Sequence, residues 1–101
     1  MFVVLLKFAE NKSAAGAHMA GHKAWLERGF ADGVFVLSGG LQPSLGGAVL
    51  AYNISRAELL ARVNEDPFVA EGVVDAEILD IAPARADERL SFLLGAQEGA
   101  A

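Results

Sequence analysis

Two side chains in this sequence have the chemistry to move a proton. His22 lies in a stretch, Ala17 to Phe30, with helical spacing, and Asp66 stands immediately before Pro67-Phe68. An imidazole changes charge near neutral pH, so one ring can take up a proton and return it in the same turnover. A carboxylate beside it can fix the ring tautomer and stabilise the protonated form, the orienting logic of a catalytic triad without the nucleophile. Each residue also has a purely structural reading. A histidine at a helix edge is satisfied by water or a backbone carbonyl, and an aspartate ahead of Pro-Phe is a favourable N-cap worth about 1 kcal/mol. For Asp66 the two roles are compatible.

The remaining candidates carry weaker chemistry. His18 and His22 are one turn apart on the same helix, a spacing that can grip a metal. The sequence holds no cysteine and no other histidine, and no acidic residue is suitably placed nearby, so the third ligand is missing and no metal is expected. Ser38 beside Gly39 and Gly40 is either a pocket hydroxyl or a small residue where backbones approach. Without a Gly-x-Ser-x-Gly elbow it is not read as a nucleophile. Gly39, Gly40, Gly46 and Gly47 are followed by no helix with Lys-Ser or Lys-Thr, so they form no phosphate loop. Trp25 reads as packing, against a C-terminal helix, more readily than as a stacking platform.

These residues need a scaffold, and the totals describe one. At 101 residues the chain suits a single domain that buries roughly 60 to 70% of its unfolded surface and folds without staples. The absence of cysteine fits a reducing, cytoplasmic setting. The apolar opening from Met1 to Phe8 is interrupted by Lys7 and is too short for a signal or a membrane span, so no membrane association is expected. A net charge of -5 without a basic stripe argues against nucleic acid as a partner. A hydrophobic share of 53% is high for so short a chain and suggests an apolar face covered by a second copy.

Along the chain, Phe2 to Ala9 reads as a strand covered on both sides, with Phe2, Val4, Leu6 and Phe8 facing one way and Val3 and Leu5 the other. Glu10 to Gly16 reads as a loop. The first helix, Ala17 to Phe30, has Met19, Leu26 and Phe30 as its core stripe, His22 at the edge of it, and Gly29 or Gly33 as its stop. Val34 to Leu37 and Ala48 to Ile54 are two strands of a hairpin joined by a glycine-rich connection. Ser55-Arg56-Ala57-Glu58 has the order of a capping box, opening a helix to about Glu65 with Leu59, Leu60 and Val63 as its apolar face. Pro67 to Ala70 is a short turn opened by Asp66, Val73 to Ile81 is the last strand, and Ala84 to Leu94 is a C-terminal helix. The order is βαββαβ: an α+β, ferredoxin-like, four-stranded antiparallel sheet with both helices on one face. The bare face is expected to meet another sheet in a two-fold homodimer, each sheet closing half of a barrel.

At this level the sequence resembles the YciI-like, YCII-related proteins of the dimeric α/β-barrel group over about residues 1 to 83, with residues 84 to 101 as an added helix and tail. The resemblance rests on His22, on Gly33-Val34-Phe35-Val36-Leu37-Ser38-Gly39, and on Asp66-Pro67-Phe68-Val69-Ala70-Glu71-Gly72-Val73 leading to a strand that ends at Pro83. It implies that His22 and Asp66 form a catalytic or ligand-binding pair in a pocket between helix and sheet, with His18, Ser38, Gly39 and Phe68 around it. A few members of the family act on ring lactones or chlorinated aromatic breakdown products. Two positions depart from the family pattern. Gly40 stands where proline often follows the glycine, which implies a freer pocket rim, and Ala17-His18-Met19 replaces a stretch that commonly carries an arginine. The expectation is a small enzyme that transfers protons on a small organic molecule, of isomerase or lyase type, with no cofactor because moving a proton needs no redox centre. The rival is a non-catalytic module that binds a small molecule or supports an assembly.

Overall fold

The computed structural model describes residues 1–95. Strand β1 (Phe2–Phe8) leads through a 3₁₀ turn at Lys12–Ala14 to helix α1 (Ala15–Ala31). Strands β2 (Phe35–Leu41) and β3 (Gly46–Ala51) form the hairpin, followed by helices α2 (Arg56–Asn64) and α3 (Pro67–Ala70) and strand β4 (Val74–Asp80). The sheet order is β2-β3-β1-β4 with every neighbouring pair antiparallel. This is the α+β arrangement expected for the βαββαβ order. Strands β1, β2 and β3 all lie within the first 51 residues, and β4 from the second half pairs with β1 to complete the sheet.

Alternation divides β1 cleanly. Phe2, Val4 and Leu6 are buried beneath the helices with Val49 and Ala51 of β3, while Val3 and Leu5 are half-buried on the far face and Lys7 is exposed. The far face is only partly apolar: Leu50, Leu37 and Leu79 continue the Val3–Leu5 patch, and Asp75 and Glu77 on β4 stand beside Lys7 and Leu5. Helix α2 starts at the capping box read from the sequence. The Ser55 hydroxyl accepts from the Glu58 amide and the Glu58 carboxylate accepts from the Ser55 amide. Hydrogen bonding to the Glu58 carboxylate from the Ser55 side chain first, and from the Ser55 amide second, holds that carboxyl below its ordinary value.

Several boundaries differ from the sequence reading for identifiable reasons. Helix α1 begins two residues earlier than Ala17, and Gly33, at φ 73° beyond the Asp32 cap, ends it. Gly29 stays inside the helix, buried against Phe35. The core stripe of α1 is also rotated: Trp25 and Gly29 are its buried residues, whereas Met19 and Phe30 are exposed. Trp25 is not packed on a C-terminal helix. Its ring stands edge-on to Phe35 at 5.0 Å and its Nε1–H donates to the Arg62 carbonyl, tying α1 to α2. Leu60 points outward while Leu59 and Val63 are fully buried. Strand β2 continues through Ser38-Gly39-Gly40, because those residues pair in register with Val49, Ala48 and Gly47, and β3 starts at Gly46 and stops at Ala51. The C-terminal helix is present but short, Phe92–Gly95 (α4), after a 3₁₀ turn at Glu88–Leu90 that Asp87 caps. Helices of one or two turns owe their form to packing, and here Phe92 rests edge-on against Tyr52. Residues 96–101 of the expected tail lie outside the described residues.

Candidate functional site

Asp66 is placed by backbone constraints before its side chain does anything. Glu65 ends α2, and the residue before a proline is disfavoured in helical geometry, so Asp66 is extended at φ −64°, ψ 122°. Pro67 then begins α3, and the Asp66 Oδ1 accepts the Phe68 amide at 3.0 Å as an N-cap. The same Oδ1 accepts from His22 Nδ1 at 2.9 Å. One carboxylate oxygen therefore both starts a helix and holds the imidazole. The Asp66 side chain is fully buried and that of His22 is 14% exposed. Oδ2 has no hydrogen-bond partner among the described residues.

Two contacts fix the ring plane and the approach of the helices. Phe68 lies flat against the His22 ring, centroids 4.1 Å apart and planes within 2°. Trp25, one turn on from His22, has its ring 5.9 Å away. Helix α3 can come this close to α1 because residue 21 has no side chain: a Cβ there would sit 2.9 Å from Pro67 Cγ. Gly21 is a site-building residue that the sequence reading passed over. A glycine inside a helix, next to the only candidate base, was its signal.

With Nδ1–H donated to the carboxylate, the neutral ring keeps its lone pair on Nε2. His22 lines a cavity of about 320 Å³ between α1 and the hairpin end of the sheet. Ser38, Gly39 and Phe68 line the same cavity, whereas Asp66 sits behind the ring rather than in it. His18 does not line it. Met19, His22, Lys23 and Leu26 form the α1 stripe that does, and His18 falls roughly 90° around the helix from the centre of that stripe. Lys23 was not singled out in the sequence, although its position one turn after Met19 places it on this face. Among the described residues no three metal-ligating side chains converge. No helix among them is long and apolar enough to cross a membrane.

The arrangement supports a general base: a nitrogen lone pair on a cavity wall, backed by a buried carboxylate that stabilises the imidazolium once it forms. Among solved structures, 5-chloro-2-hydroxyhydroquinone dehydrochlorinase from Burkholderia phenoliruptrix AC1100, in complex with 2,5-dihydroxybenzoquinone, has a similar fold. Its TM-score is 0.65 at 17% identity, covering 80% of this chain and 93% of that one. A likeness at that identity concerns architecture, and it agrees with the ferredoxin-like sheet. No curated protein matches the chain. The family model of the YCII-related domain matches residues 1–82, from β1 past the end of β4 and including both His22 and Asp66, and the chain belongs to that family.

Proposed function

We propose that the cavity is the active site of a small enzyme that moves a proton on a small organic molecule, an isomerase or lyase that needs no cofactor for that step. The hydrogen bond between His22 and the fully buried Asp66 carries the reading. His22 Nε2 takes a proton from a carbon beside a carbonyl, the Asp66 carboxylate stabilises the resulting imidazolium, and the proton is then returned to another atom or kept while a leaving group departs. Returning it is isomerisation; losing the group is elimination. The solved neighbour's name describes the loss of hydrogen chloride from a small ring compound, which is a reaction of the second kind. The apolar patch of Val3, Leu5, Leu37, Leu50 and Leu79 on the far face of the sheet supports a homodimer that leaves the His22 side of each chain free.

Ring lactones and ring-cleavage acids incubated in deuterium oxide and followed by proton NMR test the chemistry. The parent protein is expected to exchange a hydrogen beside the carbonyl or to convert the compound. His22→Ala is expected to lower that rate by about 10² to 10⁴, the usual contribution of general acid–base catalysis. Undiminished turnover in His22→Ala would sink the proposal.

A further inference from the structure

The cavity in front of His22 owes its space to a missing pair of side chains. Gly40 and Gly47 face each other across the β2–β3 ladder, and Gly47 faces Leu6 on β1. Alternation from the buried Val49 and Leu6 puts this rung on the helix-covered side of the sheet. A Cβ added to Gly40 would meet only the Gly46 carbonyl oxygen, at 3.8 Å, which is an ordinary contact, and the backbone there is not left-handed. Neither the turn nor the ladder requires glycine at position 40. Its effect is a flat backbone floor opposite His22.

The cavity wall differs in charge from the rest of the chain, and the Asp66 carboxylate stands behind the His22 ring rather than on that wall. The sequence carries 13 acidic and 8 basic residues, yet the cavity is lined by one lysine, Lys23, and by no carboxylate. Lys23 is exposed at the cavity and forms no ion pair among the described residues. An anion arriving there gains a charge-assisted contact and has no existing pair to displace. A cation at that place also offsets the negative charge that builds on a substrate when its proton leaves. The volume sets the size: a cavity of about 150 Å³ holds benzene, so about 320 Å³ holds one ring with its substituents.

We propose that Lys23 makes this pocket selective for anions: a flat, one-ring molecule whose carboxylate or enolate oxygen meets the Lys23 ammonium while its apolar body lies on the Gly40–Gly47 floor within the same cavity as His22. The inference rests on the proposed function only in taking this cavity as the place where the substrate sits.

Benzoate and benzamide, matched in shape and differing in charge, test the selectivity by calorimetric or NMR titration of the full chain. Benzoate is expected to bind about tenfold more tightly, or about 1.4 kcal/mol, and the gap should shrink as salt is added. Lys23→Met should bring benzoate down to the benzamide level, Lys23→Arg should restore the difference, and Gly40→Val, which fills the floor, should weaken both ligands with the unfolding midpoint unchanged. Cyclohexanecarboxylate, puckered and equally charged, should bind more weakly than benzoate. Equal binding of benzoate and benzamide, unchanged benzoate binding in Lys23→Met, or no saturable benzoate binding at millimolar concentration overturns the proposal. The deuterium-exchange assay separates the two readings. A Lys23-dependent benzoate preference that persists in His22→Ala upholds anion selection even if no proton transfer is found, and proton transfer that is equally fast on neutral and anionic compounds overturns anion selection alone.

Discussion

A double-mutant cycle on His22 and Asp66 separates the two roles that one carboxylate oxygen plays. Asp66→Ala removes the α3 cap, costing about 1 kcal/mol, and the charge-assisted bond to His22, costing about 1.5 to 3 kcal/mol. It also removes the buried Oδ2, which has no partner among the described residues and whose burial costs about 1 to 3 kcal/mol. The net loss in the parent is therefore small, on the order of 1 to 2 kcal/mol. His22→Phe keeps a ring against Phe68 but cannot donate to the carboxylate. In that background the cap and the Oδ2 contributions are the same and the pair is gone, so Asp66→Ala should be neutral or stabilising. The cap and Oδ2 cancel in the cycle, leaving a coupling of about 1.5 to 3 kcal/mol for the His22–Asp66 bond. Urea unfolding followed by the fluorescence of Trp25, the sole tryptophan and a buried one, reads all four proteins at one fixed chain concentration. A coupling below about 0.5 kcal/mol, the scatter of independent sites, would refute the view that the imidazole is held by the carboxylate.

Two further outcomes follow from packing. Gly21→Ala should destabilise by about 1 kcal/mol, because overpacking against Pro67 outweighs the gain in helix propensity, and should shift the ¹⁵N resonances of the His22 ring as α3 is pushed away. Gly16→Ala on the same helix meets nothing within 4 Å and should be stabilising by a few tenths of a kcal/mol; equal effects at the two positions would show that Pro67 is not the constraint. In sedimentation equilibrium the parent should weigh twice the chain mass, and Leu50→Lys, which puts a charge in the far-face patch between Leu37 and Val3, should return it to one chain. A parent that sediments as a single chain contradicts the dimer.

What the sequence made legible was whatever depends on local chemistry. The Ser55–Glu58 box, the Asp66-Pro67 start of α3 and the grouping of Phe2, Val4 and Leu6 on one face of β1 are decided by neighbours a few residues away, and each stands in the structure where the residues indicate. The pairing of His22 with Asp66 is 44 residues apart in the chain and reached the sequence reading as a family resemblance rather than as geometry. The features it missed depend on tertiary approach. Ser38-Gly39-Gly40 looks like a turn, and only the ladder to β3 makes it a strand. Met19 looks like core, but the core side of α1 is set by where Trp25 meets Phe35 and the Arg62 carbonyl, which turns Met19, Lys23 and Leu26 toward the cavity. Glycines 21 and 40 do their work by leaving space for something distant, and a missing side chain has no pattern of its own.

Asp66 also shows why a structural reading and a chemical one need not compete. A helix cap alone is met by a serine or an asparagine as well as by an aspartate, and neither brings a charge into the interior. Here a carboxylate with no exposed surface satisfies two donors through Oδ1, and its Oδ2 has no partner among the described residues. For stability this is a poor choice, since burial penalises the charge and half of the group gains nothing in return. It becomes a good choice once the neighbouring ring has to accept a proton, because a buried carboxylate stabilises an imidazolium far more than an amide or hydroxyl does in the same place. The discriminating variant is therefore Asp66→Asn. Its side-chain oxygen can still accept from both Phe68 and His22, so the cap and the ring orientation survive while the charge is lost. A site used for proton transfer should lose most of its rate in this variant with the fold intact. A cap with no chemistry should lose nothing, and full activity in Asp66→Asn would reduce the carboxylate to a helix start.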